Sequence, residues 1–233
     1  MKKIGLIVFA AAIIFGVVIA NFISFGKTAD QVFDHVTVSS DVHGSGNIAS
    51  EKRDLDDFSG IDVSGAFEVE VVSQKAFGVE IEADDNLLPQ IKTEVRDGVL
   101  RISSEDDIKT KNPIHVRISA PDIDRIEASG ATRVSVADLK NEELKLDING
   151  VSKVKLSGVT GNLSAEISGA SHVYAENLKA ATVTVEASGA SHADINVSEE
   201  LVADASGASR INYTGSPKTA RKNSSGVSSI HGK

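Results

Sequence analysis

Short runs in which hydrophobic and polar residues alternate cover most of the chain beyond residue 36. In residues 67–71 (FEVEV) and 79–83 (VEIEA), for example, every second residue is apolar. This period places successive side chains on opposite faces of a β-strand, so each run predicts a half-buried strand with an acidic outer face. Asp97-Gly98 separates two such runs and predicts a hairpin turn. Only residues 85–90 suggest a helical turn after the leader.

A seven-residue motif recurs six times in the second half of the chain. Its copies begin at residues 128, 148, 167, 187, 205 and 224, and their glycines are Gly130, Gly150, Gly169, Gly189, Gly207 and Gly226. Gly65 marks an earlier, degenerate copy. The glycines are 18 to 20 residues apart, which is too short for helical pairs or propeller blades. The repeat therefore predicts an all-β fold, a β-solenoid with turns of about 19 residues.

The first 26 residues have a different pattern. Lys2 and Lys3 precede residues 4–26, which carry no charge. This arrangement fits a cleaved signal peptide, and the run is also long enough for an uncleaved transmembrane helix. Either one places the rest of the chain outside the cytoplasm, in the periplasm or at the cell surface. The expected divisions are a leader or anchor (1–26), a linker with a first strand (27–43), an irregular strand-rich part (44–127) and a repeat part of the same domain (128–233).

Composition and charge exclude several classes of function. The net charge of the 233 residues is −9, and it is near −11 beyond the leader, so nucleic acid is not an expected partner. Without cysteine, the chain has no disulfide scaffold, thiolate nucleophile or cysteine-ligated metal. Aromatic residues make up 4% of the chain, and only Tyr174 and Tyr213 follow Phe77. This scarcity predicts a narrow interior filled by small side chains.

Stacked turns place equivalent residues about 4.8 Å apart, in columns along the stack. Three residues before the glycines lies the acidic column, Glu127, Asp147, Glu166, Glu186 and Asp204. Three residues after them lies the basic column, Arg133, Lys153, His172, His192 and Arg210. Two residues after them lies the hydroxyl column, Thr132, Ser152, Ser171, Ser191, Ser209 and Ser228. Alternation places the two charged columns outside and the hydroxyl column inside.

Each column has a functional and a structural interpretation. The acidic column is a candidate ladder for divalent cations such as Ca²⁺, and the basic column is a candidate ladder for an anionic ligand. Both are also explained as solvated faces that keep the domain soluble. His172 and His192 are adjacent, but no third zinc ligand is identifiable. Neither histidine can activate the serine before it, because adjacent strand residues point to opposite faces. We therefore expect no catalytic residue and no cofactor.

Several stretches together resemble a bacterial family. They are residues 44–47 (GSGN), Arg53 with Phe58, and residues 61–66 (IDVSGA), 82–88 (EADDNLL) and 95–100 (VRDGVL), besides the repeats. From about residue 44 to at least Tyr213, the chain is similar to the putative auto-transporter adhesin head (GIN) domain family, whose function is unknown. The resemblance implies an exported, β-helix-like domain and supplies no catalytic residues.

Three functional hypotheses follow. The first is a non-enzymatic surface-interaction or structural domain of the cell envelope, with an envelope protein or glycan as partner. The second is a polysaccharide-cleaving β-helix, which requires the acidic and basic columns to meet in one groove. The third is a membrane-tethered sensing module with a pocket where the strand-rich part meets the first repeat. The open ends of a solenoid also predict self-association, unless charged residues such as Lys222 blunt them. An uncleaved leader would add a membrane contact through residues 4–26.

Overall fold

A computed structural model describes residues 42–104 and 108–233. The predicted N-terminal helix and most of the predicted linker lie outside these residues. The described part is built from strands, and its one helical element is the 3-10 turn Leu88–Gln90, within the segment where a helical turn was predicted. No helix in that part is both long and apolar enough to cross a bilayer.

The repeats form a parallel β-solenoid of about five turns, as the glycine spacing predicts. One long strand follows most of each turn: β11 (Arg133–Ile148), β12 (Lys153–Ile167), β13 (His172–Ala187) and β14 (His192–Ala205). The last turn is divided into β15 (Arg210–Thr214) and β16 (Thr219–Ser224), and β17 (Ser229–Gly232) pairs with β15. All neighbouring pairs among these strands are parallel.

Every repeat glycine turns the chain at a corner. The six glycines have φ angles between 71° and 82°, a region that side chains with a Cβ atom rarely occupy. Their backbones are also stacked on one another. A Cβ atom on Gly150 would lie 2.5 Å from the carbonyl oxygen of Gly130. Conformation and close approach both require glycine here, which explains the regularity of the motif.

The strand-rich part extends the same stack by two layers. In the nearer layer, β3 (Gly60–Gly65) and β4 (Phe67–Val72) pair in parallel with β10 (Arg125–Gly130) and with β11. In the farther layer, β7 (Val99–Ser104) and β9 (Ile114–Ser119) pair in parallel with β3 and β4. Gly65 aligns with Gly130, so the degenerate copy occupies a true position in the column. This part is thus more regular than its sequence indicates.

Antiparallel strands surround the first layers. β6 (Ile91–Arg96) forms the predicted hairpin with β7, and both turn residues, Asp97 and Gly98, have positive φ. β5 (Gly78–Asp84) pairs antiparallel with β9 and with β2 (Ile48–Arg53). A separate small pair joins β1 (Val42–His43) to β8 (Ile108–Lys109).

The interior is a continuous apolar column of valine, isoleucine, leucine and alanine. Leu144, Leu163, Val183 and Leu201 follow one another in register, and each is at most 2% exposed. The buried phenylalanines, Phe58 and Phe67, belong to the first layers. Tyr174 and Tyr213 are only half-buried. The repeats thus bury no phenylalanine, as the scarcity of aromatic residues predicts, but leucine and isoleucine fill the interior alongside small side chains.

Candidate functional site

The acidic column runs along one outer face next to the glycine corner. Glu127 pairs in register with Asp147, which pairs with Glu166, and the register continues through Glu186 to Asp204. These side chains are exposed or half-buried. Together with the serines and asparagine just before each glycine, the later members line an open depression of about 350 Å³.

Neutral neighbours take up part of the hydrogen-bonding capacity of the acidic column. The Asn149 amide donates to Asp147 at 2.6 Å, and the Asn223 amide donates to Asp204 at 2.7 Å. The Ser168 hydroxyl donates to the side-chain amide oxygen of Asn149. Across residues 42–104 and 108–233, no three histidine or carboxylate side chains converge as a metal site would require. The cation ladder remains a prediction from spacing alone.

The basic column lies beyond the glycine corner, and the strand-rich part continues it. Arg133, Lys153, His172, His192 and Arg210 are in register. Glu68 precedes Arg133 in the same column, and its carboxylate lies 2.9 Å from the Arg133 guanidinium. The imidazole of His115, in the next layer out, lies 3.6 Å from that carboxylate. One end of the basic column is therefore already neutralised.

The two histidines of the column have different partners. Their ring centres are 5.7 Å apart, which confirms that they are adjacent. The Nδ1 atom of His172 lies 3.2 Å from the Tyr174 hydroxyl, and the Nε2 atom of His192 lies 2.9 Å from a carboxylate oxygen of Asp194. The histidine rings are thus held by neighbours on their own strands.

Asp194 is the centre of a polar cluster near the end of the stack. Its side chain is 14% exposed, and its carboxylate accepts hydrogen bonds from Lys233 at 2.8 Å and from Asn212 at 3.0 Å. Burial opposes its ionisation, but the bonds from Lys233, Asn212 and His192 outweigh this and hold the pKa of Asp194 below its ordinary value. The negative charge of Asp194 is thus balanced by Lys233 and hydrogen-bonded by its neighbours, which stabilise the ionised carboxylate.

The hydroxyl column lies inside the solenoid, as predicted. Thr132, Ser152, Ser171, Ser191 and Ser209 are each at most 2% exposed, while the terminal Ser228 is half-buried. Ser209 donates to the carbonyl oxygens of Ala187 and Ser206 at 3.0 and 2.9 Å. Ser171 is buried and His172 is exposed, so this pair cannot act as nucleophile and base. The other members of the column donate to backbone carbonyl oxygens as well, except Ser191, whose hydroxyl has no partner among the described residues.

The two charged columns line different depressions. The acidic column lines the one described above, whereas Lys153 lines two others, of about 470 and 300 Å³. The larger of these also contains Ser135, Lys155 and Tyr174. Sequence reasoning missed Lys155, although its place two residues after Lys153 puts it on the same face.

A fourth depression lies where the strand-rich part meets the first repeat. It measures about 790 Å³, and its lining includes Phe67, Ile108, Lys111, Ile114 and Arg133. The sensing hypothesis requires a pocket at this junction. The junction itself arises from pairing between β4 and β11, which spacing along the sequence does not indicate.

Asp84 forms a second buried cluster that sequence reasoning did not single out. The residue is 2% exposed, and its carboxylate accepts hydrogen bonds from the Thr110 hydroxyl at 2.6 Å and the Asn112 amide at 2.8 Å. These two bonds, opposed by burial and aided by the backbone of Gly46, lower the pKa of Asp84. The carboxylate thus joins the end of β5 to the segment after β8.

Comparisons with known proteins agree with this architecture. The structure is similar to a putative adhesin from Bacteroides fragilis NCTC 9343, with a TM-score of 0.68 and 21% identity, over 82% of this chain and 100% of that one. A putative adhesin from Parabacteroides merdae ATCC 43184 has a TM-score of 0.53 and 20% identity, over 83% and 100%. A putative lipid binding protein from Parabacteroides distasonis ATCC 8503 has a TM-score of 0.56 and 17% identity, over 83% and 100%.

At these identities the likeness shows the fold. A search of curated proteins finds no match. The family described as "Putative auto-transporter adhesin, head GIN domain" matches residues 57–217, which include the first layers and nearly all the repeats. The chain therefore belongs to this GIN domain family.

Proposed function

We propose that this chain is an exported, non-enzymatic module of the bacterial cell envelope that works by surface interaction. The observation that carries the proposal is the pair of charged columns displayed on a parallel stack. The in-register pairing of β11 to β14 holds each column in a fixed, repeating array. Such an array suits the binding of an extended partner, because many weak contacts add along it.

The separation of the two columns disfavours the polysaccharide-cleaving alternative. That chemistry needs acidic and basic groups around the same sugar bond, within hydrogen-bond reach of the reacting atoms. Here the acidic column lines one depression and Lys153 lines others. Glu68 and Glu70 share the smaller depression with Lys153, but the Glu68 carboxylate is already paired with Arg133. The names of the similar structures, which are putative adhesins, agree with an interaction role.

The place of action follows from the leader. Two lysines followed by an uncharged apolar run direct the remaining residues out of the cytoplasm, whether the run is cleaved or retained. The export proposal rests on this sequence pattern, and the acidic charge of the remainder suits a soluble domain in the envelope.

A co-sedimentation experiment tests the interaction. Full-length protein is mixed with isolated cell envelopes and, separately, with soluble polysaccharides whose chain length is followed over time. We expect saturable binding to envelopes without any shortening of the polysaccharides. Progressive shortening would support the enzyme, and no binding to any envelope fraction would contradict the interaction role.

The junction depression supports a second candidate, a ligand-binding module. Its lining combines apolar Phe67 and Ile114 with cationic Lys111, and one structural neighbour is named a putative lipid binding protein. A thermal-shift screen with ions, glycans and short-chain phospholipids tests it. Ala131→Phe would fill the depression, whereas Ala170→Phe makes the same change one residue after a later glycine. Only the first variant should abolish a stabilising shift, and equal responses would contradict the candidate.

A further inference from the structure

Lys153 and Lys155 form a local concentration of positive charge on an otherwise acidic protein. They are two residues apart on β12, so both side chains point outward on the same face. Within residues 42–104 and 108–233, no carboxylate lies at ion-pairing distance from either ammonium group. Their charge is available to a ligand.

Three neighbouring cations of the same face already have carboxylate partners. The Arg133 guanidinium is paired with Glu68 in the preceding layer. The His192 imidazole and the Lys233 ammonium share the carboxylate of Asp194 farther along the stack. Arg210, farther along the basic column, has no carboxylate partner among the described residues, but the β12 layer places two such cations, Lys153 and Lys155, on one face.

Tyr174 in the next layer contacts one lysine of the pair, Lys153. The Lys153 ammonium lies 5.0 Å from the centre of the Tyr174 ring, a cation–π distance. The Tyr174 hydroxyl in turn lies 3.2 Å from Nδ1 of His172. A lysine that is held in place before binding loses less conformational entropy when a ligand arrives.

Hydroxyl and amide groups surround the two ammonium groups. The depression of about 470 Å³ contains Ser135 and Ser157, and Asn177 and Glu176 complete its polar lining. Its apolar contributors, Val136 and Leu156, are 2% exposed, so they offer almost no apolar surface to a partner. The depression is therefore polar and shallow, and its two lysines outnumber its one carboxylate, Glu176, while Glu68 and Glu70 line the adjoining smaller depression.

We infer that this lysine pair, with Ser135, Ser157 and Tyr174, is a binding site for an anionic polysaccharide, one bearing carboxylate or sulfate groups. The two ammonium groups meet the anionic groups of the polymer, and the hydroxyl and amide groups meet its sugar hydroxyls. A protein partner would require a hydrophobic interface core, which this depression lacks. Single-stranded nucleic acid binding normally adds several stacking aromatic side chains to the positive charge, and Tyr174 is the one aromatic residue in the lining of this depression. The inference rests on the proposed surface-interaction function and names its ligand.

Binding of the full-length protein to immobilised polymers tests this inference. The probes are polygalacturonate for carboxylates and heparin for sulfates, with dextran as the neutral polymer, at low and at physiological salt. We expect binding to at least one anionic polymer and none to dextran. The affinity should fall as salt increases, since exposed charges are screened.

A matched pair of double variants locates the site. Lys153→Gln with Lys155→Gln should weaken polymer binding by about tenfold or more, because two charge-assisted contacts are lost. Lys140→Gln with Lys179→Gln removes the same charge from exposed positions on β11 and β13 and should change binding less than about twofold. Tyr174→Phe keeps the ring beside Lys153 and should retain most of the affinity, while Tyr174→Ala should not. Unchanged melting temperatures confirm that the variants are folded.

Several outcomes would overturn the inference. They are equal loss in both double variants, binding to dextran, or tighter binding to phosphatidylglycerol vesicles or inorganic sulfate than to any polymer. If the lysine variant still binds isolated envelopes as the wild type does, the inference fails while the proposed function stands. Loss of all envelope binding by the wild type would instead contradict the proposed function.

Discussion

Gly130 packs backbone against backbone on Gly65. A Cβ atom on Gly130 would lie 2.6 Å from the Gly65 carbonyl oxygen, which accepts a hydrogen bond from the Ala131 amide at 2.8 Å. The same approach recurs between each later repeat glycine and the one before it. The corner is therefore built from stacked backbone. The contact between Gly65 and Gly130 also helps to join the strand-rich part to the repeats.

Two glycine-to-alanine variants separate the loss of stability caused by a steric clash at the corner from the loss caused by backbone strain. Gly189 and Gly98 have nearly equal φ angles, 73° and 74°, but a Cβ on Gly189 would lie 2.5 Å from the Gly169 carbonyl oxygen, and one on Gly98 meets nothing within 4 Å. Gly98→Ala should lower the free energy of unfolding by about 1–2 kcal/mol, the cost of a left-handed alanine. Gly189→Ala should cost clearly more, as measured by urea unfolding. Equal losses would show that the stacked backbone imposes no steric requirement.

The hydroxyl column offers a matched comparison of hydrogen bonding. Ser209 donates to two carbonyl oxygens, whereas the hydroxyl of Ser191, equally buried, has no partner among the described residues. Ser209→Ala should lower the free energy of unfolding by about 1 kcal/mol. Ser191→Ala should be neutral or slightly stabilising, because it removes a buried unsatisfied group. A larger loss in Ser191→Ala would contradict this assignment.

The repeat half of the fold could be predicted from the sequence because its determinants are local. Each glycine, the hydroxyl two residues later and the alternating run around them recur at a constant spacing, which fixes corner, interior and register together. The hairpin at Asp97-Gly98 is equally local. The positions of the acidic and basic columns are predicted in the same way, from their constant distance to the repeat glycines.

The remaining features depend on contacts that are distant in the sequence. β3 and β4 join the stack although β5 to β9 intervene before β10, and no spacing indicates this pairing. For the same reason, spacing could not show that Glu68 neutralises Arg133. Asp84 lies in the segment 82–88, but the sequence does not single it out, because its partners, Thr110 and Asn112, lie on another segment.

Acid should weaken the contact between β5 and the segment after β8. The pKa of Asp84 is lowered in the folded protein, so its contribution is present above its ordinary pKa, near 3.9, and is lost as pH falls through the lower folded value. The stability advantage of the wild type over Asp84→Asn should therefore shrink below about pH 4. Unfolding measured from pH 7 to pH 3 checks this.

Glu200→Gln is the control for that titration. Glu200 is exposed and has no hydrogen-bonded or ion-paired partner among the described residues, so its neutralisation should leave the pH profile close to that of the wild type. A difference between the wild type and Asp84→Asn that stays constant with pH would contradict the role assigned to the Asp84 carboxylate.

A lysine, Lys222, lies at the C-terminal end of the apolar interior. Lys222 pairs in register with the buried Ala203, and its ammonium group donates to the Tyr213 hydroxyl at 2.8 Å. An inward-facing charge on an edge strand opposes the pairing of that edge with another copy. Lys222→Val should therefore increase concentration-dependent self-association in sedimentation velocity. Arg221→Val removes the same charge from the outward position next to it and should have less effect, whereas equal association of both variants would contradict the capping role.

Location is the most direct test of the central claim, that this solenoid is displayed outside the cytoplasm to bind envelope partners. The measurement is protease accessibility of the tagged full-length protein in intact cells, in spheroplasts and in lysed cells, compared with a cytoplasmic marker. We expect degradation in intact cells or in spheroplasts, under conditions that leave the marker intact. Protection of the protein until the cytoplasmic membrane is lysed would contradict the account.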